Sequence, residues 1–318
     1  MKHVDRLPAF APLRGLATAA LLSMSTAVTF ADEVQIKNDG KTLVANLELA
    51  ENASVADGVV LIIHALMQHY DTEIIRGLQN GLQAAGRSSL AINLSLGMDG
   101  RRGSFACTMP ITARFDDSVA EGDAWIEWLR AQGARDITLM GHSSGANEAL
   151  GLAIEHPAAD VSALVLLSPM TTGHERVASA YEKRWRVKLD DVLVQAKSLI
   201  DQGQGDEFMR ADFTICPQAR VTARAFVDWY GGQPLRYDPR SYLRRAVLPI
   251  QIIVGSDDER QPNVVSFLEP YVDDEKVFMY TIQSGGHFFR DLNLDEAIEV
   301  TVEFLDGIEQ QQTADANR

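Results

Sequence analysis

The residues whose types and spacing could do chemistry begin with Gly141-His142-Ser143-Ser144-Gly145. An apolar run, residues 137–140, leads into this pentapeptide, and a helix-compatible run, residues 146–156, leads out. Gly-x-Ser-x-Gly between a strand and a helix reads as a nucleophile elbow, a tight turn that lifts one serine above the edge of a sheet. Glycines flank the serine because the two backbones pass too close there for side chains. Ser143 is therefore the candidate nucleophile. A serine hydroxyl is weakly nucleophilic at neutral pH, so it needs a base in contact with it. The base in turn needs a partner to fix its tautomer and stabilise its charge. Two later apolar runs end in such groups. Residues 249–255 lead into Ser256-Asp257-Asp258-Glu259, and residues 276–282 lead into Gln283-Ser284-Gly285-Gly286-His287. His287 is the only histidine after residue 174 and is the candidate base. Among the three consecutive acids, Asp258, three residues after Gly255, is the chosen orienting carboxylate, with Asp257 the alternative. The chain order serine, acid, histidine is the one an elbow architecture uses.

The elements that must position these groups alternate. Residues 34–48 read as a hairpin about Asp39-Gly40, a strong turn signal. Residues 59–63 are an unbroken apolar run, as in a strand buried on both faces. Ile74, Leu78 and Leu82 recur at helical spacing, and residues 90–94 are another apolar strand. A long loop follows, residues 95–112. Then come a helix over 116–132, the strand before the elbow, the helix after it, and a strand over 163–167. Such alternation predicts an α/β fold, a mostly parallel sheet flanked by helices, with the site at the strands' carboxyl ends. The alternation stops over residues 170–248, where no comparable apolar strand is seen and Val192, Ala196 and Leu199 fall at helical spacing. This segment is read as a mainly helical insertion, too long for a bare loop. The expected organisation is a leader at 1–31, a core at 32–169 and 249–308, the insertion between them, and a flexible tail at 309–318.

Taken together, the elbow, the Gly255-Ser256-Asp257-Asp258 turn and Gly285-Gly286-His287 resemble the α/β-hydrolase family over residues 59–305. That family commonly carries a helical cap where residues 170–248 fall. The resemblance implies Ser143 as nucleophile, His287 as base and then acid, and Asp258 as the orienting carboxylate. It also implies an oxyanion hole formed by the N–H groups of Ser144 and of Leu66, in the loop after the first buried strand. Many relatives have His-Gly in that loop, whereas this chain has His64-Ala65, and His64 is read as holding the loop. His142 in the elbow and Arg101 and Arg102 in the 95–112 loop are candidate substrate contacts. Cys107 in that loop and Cys216 in the insertion suggest a disulfide clamping cap to core. The expected activity is hydrolysis of an ester or related acyl bond of a small molecule, with no cofactor or metal. Thioester, amide or carbon–carbon hydrolysis are variants of it. The rival is a non-catalytic hydrolase-like binding or accessory protein, since a fold hosts many roles.

Bulk properties bound the remaining choices. The 318 residues are 46% hydrophobic and 23% charged, with a formal charge of −15. So acidic a chain, without a basic stripe, argues against nucleic-acid or anionic-membrane binding. At the N-terminus, Lys2, Arg6 and Arg14 precede an uncharged apolar stretch, residues 15–30, and Thr29 and Ala31 suit cleavage before Asp32. Export to the periplasm or medium is expected, with a retained anchor the alternative and no membrane-spanning segment after cleavage. Two cysteines in an exported chain permit one disulfide. His64 and His69 do not have zinc-site spacing. The sequence does not set the oligomeric state.

Overall fold

A computed structural model of the protein describes residues 32–171, 173–232 and 235–316. The leader expected at 1–31 lies outside the described residues. In chain order come β1 (Asp32–Asn38), β2 (Lys41–Glu48), β3 (Val59–Ile63), α1 (Glu73–Ala84), β4 (Ser88–Asn93), α2 (Phe115–Ala131), β5 (Ile137–His142), α3 (Ser144–Glu155) and β6 (Val161–Leu167). The segment after β6 holds α4 (His174–Trp185), α5 (Leu189–Asp201), β7 (Phe208–Phe213), β8 (Cys216–Thr222), α6 (Ala223–Tyr230) and α7 (Pro239–Leu243). The chain then returns with β9 (Ile250–Gly255), α8 (Val264–Leu268), β10 (Val277–Ile282) and α9 (Leu292–Ala316).

Eight strands form one sheet in the order β1-β2-β4-β3-β5-β6-β9-β10. The β1–β2 and β2–β4 pairs are antiparallel, and every other neighbouring pair is parallel. The first hairpin turns through Asp39 and Gly40, both at positive φ, which the Asp-Gly pair tolerates. The central strands β3, β4, β5 and β9 are buried at every residue because helices cover both faces. Alternate residues separate the two layers. Leu61 and Ile63 pack with Phe115, Trp125 and Leu150 of α2 and α3. Val60 and Ile62 pack with Ile75 and Leu78 of α1 and Ala297 of α9. All the strands that carry site residues run in one sense, so the loops after β3, β5, β9 and β10 emerge at a single edge.

Two expectations are corrected here. The insertion contains an antiparallel hairpin, β7–β8, which a search for continuous apolar runs passes over. Its strands are buried on one side only, alternating exposed Phe208 and Arg210 with buried Met209 and Ala211. Thr222, at the end of β8, caps α6 by accepting the Ala225 N–H. The expected flexible tail is helical as far as Ala316. The apolar pattern ends near Leu305, but Glu, Gln and Ala are good helix formers, and Arg87 bridges from the core to Asp306 and Glu309.

The insertion has its own apolar cluster, which includes Tyr181, Leu193, Phe213 and Phe226 and reaches Phe105 and Ile111 of the 95–112 loop. That loop is tied to the hairpin twice. Ile111 exchanges backbone hydrogen bonds with Arg220 and Thr222, at 2.7 and 3.0 Å. Cys107 forms a disulfide with Cys216, 109 residues further along the chain.

Candidate active site

Ser143 stands between the end of β5 and the first turn of α3, with φ 56° and ψ −119°. Side-chain-bearing residues rarely adopt this backbone, and such strain persists only where the surroundings enforce it. Here two close approaches do so. A Cβ on Gly141 would overlap the backbone of Gly145 and Ala146, and one on Gly145 would overlap the carbonyl oxygens of Ile63 and His64. The elbow is therefore pressed directly against the end of β3.

His287, after β10, reaches Ser143 with Nε2 at 3.0 Å from Oγ. Its Nδ1 lies 2.8 Å from Asp258 Oδ2. The Asp258 carboxylate is an acceptor, so Nδ1 carries the proton and Nε2 is left to accept the serine O–H. Asp258 Oδ1 takes the N–H groups of Arg260 and Gln261 at 2.9 and 2.7 Å. Burial pushes the Asp258 carboxyl up, but His287 and the Gln261 N–H outweigh it and hold the group below the usual carboxylate range. Asp258 is buried, whereas Asp257 and Glu259 are exposed. Neither exposed acid faces the ring. Asp257 donates its N–H to Gly285, and Glu259 Oε2 accepts the backbone N–H of His287 at 3.1 Å. Glu259 thus anchors the histidine loop, a contact the sequence reading did not foresee. Its place beside Asp258 was the only available signal.

The loop after β3 turns through Ala65-Leu66-Met67-Gln68, with Met67 at positive φ and the Gln68 N–H bonded to Ala65 O at 3.0 Å. The Leu66 N–H meets no acceptor among the described residues. The Ser144 N–H is one of the first-turn donors that a helix leaves unpaired. Both residues line one cavity, Ser144 next to Ser143 in the chain and Leu66 after the end of β3.

His64 fixes this loop. Its Nδ1 donates to Ala65 O at 2.8 Å, while Nε2 accepts from the Leu94 N–H at 3.2 Å and from Arg101 Nη2 at 2.8 Å. Burial and the Arg101 charge push its pKa down to about 3, so the ring is neutral and holds one tautomer.

Three candidate substrate contacts are engaged within the protein itself. Arg101 is buried, and its donors are taken by the carbonyls of Leu94, Gln68 and Gly103, by Asn93 and by His64. It buttresses the loop after β3. Arg102 points away to a fork with Glu33 of β1, at 2.8 Å on each arm. His142 is wholly buried and donates Nε2–H to the backbone carbonyl of His287 at 2.8 Å. Burial and the neighbouring His287 push its pKa down to about 3, so it positions the base's loop as a neutral ring.

Asn147, unremarked in the sequence, bonds Met170 in both directions and also the Tyr237 carbonyl, tying α3 to both ends of the insertion. No group of three or more His, Cys, Asp or Glu side chains among the described residues could hold a metal ion. No helix among them is long and apolar enough to cross a membrane.

The fold recurs in solved structures at low identity. Est1E from Butyrivibrio proteoclasticus, solved with ferulic acid bound, is 18% identical, with a TM-score of 0.63 over 87% of this chain and 99% of that one. An esterase from Pyrococcus furiosus is 18% identical, with a TM-score of 0.58 over 87% and 91%. The esterase domain of a Rhodothermus marinus protein is 14% identical, with a TM-score of 0.56 over 86% and 97%. No functionally curated protein matches the sequence. The model of the alpha/beta hydrolase family matches residues 60–304, from the first buried strand into the last helix, and the chain belongs to that family.

Proposed function

We propose that this chain is an exported serine hydrolase that cleaves an ester or related acyl bond through an acyl-enzyme on Ser143. The observation that carries this reading is the unbroken hydrogen-bonded line from Ser143 Oγ through His287 to Asp258. In the first step Ser143 Oγ bonds to the acyl carbon and its proton passes to His287 Nε2. Asp258 stabilises the imidazolium and stays ionised. The negative charge on the carbonyl oxygen meets the Leu66 and Ser144 N–H groups, which are already in place. When the carbon–oxygen bond to the leaving group breaks, His287 gives its proton to the departing alcohol. Water then attacks the acyl-enzyme, with His287 again taking and returning a proton. The esterases among the structural neighbours favour an ester as the bond cleaved. The Cys107–Cys216 disulfide fits an oxidising compartment and so an exported protein, with residues 1–31 as its cleaved leader.

A fluorophosphonate probe tests the chemistry. The wild-type protein should be labelled and Ser143→Ala should not. An unlabelled wild type, or equal labelling of both, would overturn the proposal. Mass analysis of the exported protein tests the leader, which is expected to be cut before Asp32.

A further inference from the structure

Beside the Leu66 and Ser144 N–H groups opens a cavity to which the reaction steps above assign no group. It begins at Leu66 and Ser144 and runs between the sheet edge and the insertion. Leu94, Phe105, Ile111 and Phe213 make its walls apolar. Room for water-sized groups amounts to about 40 Å³, enough for a short chain or a few waters. An acyl group whose carbonyl oxygen sits on Leu66 and Ser144 has this space directly alongside it.

One residue does not fit an apolar pocket. Glu148 of α3 lines the cavity and is 4% exposed; the Ser118 hydroxyl on the same wall stabilises its carboxyl, and its Oε2 is buried without a hydrogen bond of good geometry among the described residues. Its other oxygen lies 3.4 Å from the Tyr237 hydroxyl, a long contact. Leaving a carboxyl oxygen buried and unpaired costs stability unless something fills the gap. Glu148 follows Ser144 by one turn of helix, a rise of about 6 Å. Helical side chains lean toward the N-terminus, which carries the carboxyl back toward the oxyanion site. That separation suits the second or third carbon of an acyl chain.

The chemistry of the missing partner follows from its surroundings. Burial pushes the Glu148 carboxyl up to about 8, with Ser118, Tyr237 and Arg101 pulling down and Glu121 pushing up. The group is therefore largely a neutral acid at pH 7, able to donate and accept. Arg114, the other ionic side chain on the wall, is held by Asp117 at 2.8 Å. A cationic partner would have to shed its water among apolar walls, and an anionic one would oppose Glu148 as it ionises. A hydroxyl matches a carboxyl in both directions at no cost in charge.

We infer that this cavity is the acyl pocket and that Glu148 makes it selective for short acyl groups bearing a hydroxyl near the carbonyl. The inference rests on the serine-hydrolase reading above and names the substrate class of the same site.

The test compares methyl butanoate with methyl 2-hydroxybutanoate and methyl 3-hydroxybutanoate, each kcat/KM divided by that ester's rate of alkaline hydrolysis. In the wild type one hydroxylated ester should exceed the plain one by about tenfold, the discrimination of one good buried hydrogen bond. Glu148→Met, of similar volume but without the hydrogen bond, should bring that ratio close to one, and Glu148→Gln should keep part of it. A wild type that disfavours both hydroxylated esters overturns the inference, even if Glu148→Met fails to fold. So does a folded Glu148→Met with the wild-type ratio. Fluorophosphonate labelling separates the two levels. A labelled enzyme with the wrong ratio removes the pocket assignment alone, and an unlabelled one removes both.

Discussion

Replacing Asp258 by asparagine should switch the histidine to the wrong tautomer, and the loop geometry explains why. Asp258 Oδ1 accepts two backbone N–H groups, from Arg260 and Gln261. An asparagine there must keep its carbonyl oxygen on those donors, because turning its amide would set two N–H groups against an NH2. The amide nitrogen then takes the place of Oδ2, 2.8 Å from His287 Nδ1, and donates to it. Nδ1 becomes an acceptor and the proton moves to Nε2, which faces Ser143 Oγ as a donor. The base can no longer take the serine proton. The expected loss in kcat is about 10⁴-fold, the size seen when a triad carboxylate is replaced in this way in other serine enzymes. That corresponds to a barrier higher by about 5 kcal/mol. Because the fold and the backbone bonds of the loop survive, KM and the melting temperature should change little. Steady-state ester hydrolysis from pH 6 to 9 gives the measurement. Asp257→Asn is the control and should stay near wild type, since that carboxylate is exposed and does not meet the ring. If Asp258→Asn kept kcat within tenfold of wild type while Asp257→Asn lost it, both the acid assignment and the tautomer argument would be wrong.

Three other perturbations read different parts of the structure. Gly145→Ala places a methyl on the Ile63 and His64 carbonyl oxygens, so β3 and the elbow must separate. A stability loss of about 1–3 kcal/mol is expected in urea unfolding, together with lower kcat as Leu66 shifts. An unchanged midpoint with full activity would show that the elbow has slack. Breaking the Cys107–Cys216 bridge by Cys107→Ser/Cys216→Ser frees a loop closed across 109 residues and should cost about 2–5 kcal/mol. A melt as high as that of the oxidised protein would refute the clamp. The pH dependence of stability divides by sign. His64 and His142 have depressed folded pKa values, so stability is full above about pH 6.5 and declines as pH falls from there toward about 3. Glu148 has a raised one, so its stabilisation is full below about 4.5 and is lost as pH rises toward about 8. Melting of Glu148→Gln across pH 5–8.5 should therefore fall less steeply on the alkaline side than melting of wild type. Parallel curves would mean that Glu148 is ionised in the folded protein.

The sequence carried the parts of this fold that rest on local pattern. Strands β3, β5 and β9 are buried on both faces and so read as continuous apolar runs, and the chemical residues follow them directly. Even the choice of Asp258 used only its distance from Gly255. The β7–β8 hairpin was illegible for the converse reason. With one face on the insertion's own small core, its strands mix arginines with alanines, and the pairing that makes them a sheet is visible only in three dimensions.

The candidate substrate contacts that the structure engages internally share one feature. Arg101, Arg102 and His142 have the side chains that substrates attract, and they lie near the right edge of the sheet. What decides their roles is which way each faces and what it meets there. Arg101 meets carbonyl oxygens left by loops at the ends of β3 and β4, so a charge that looks like a ligand for an anion instead satisfies backbone acceptors. His142 is directed by strand alternation to the side of the sheet opposite the serine's pocket and supports His287 from below. Glu148 inverts the pattern. On sequence it is one more acid in a helix, yet it is buried, with Oε2 unpaired, in the wall of the cavity that Leu66 and Ser144 also line.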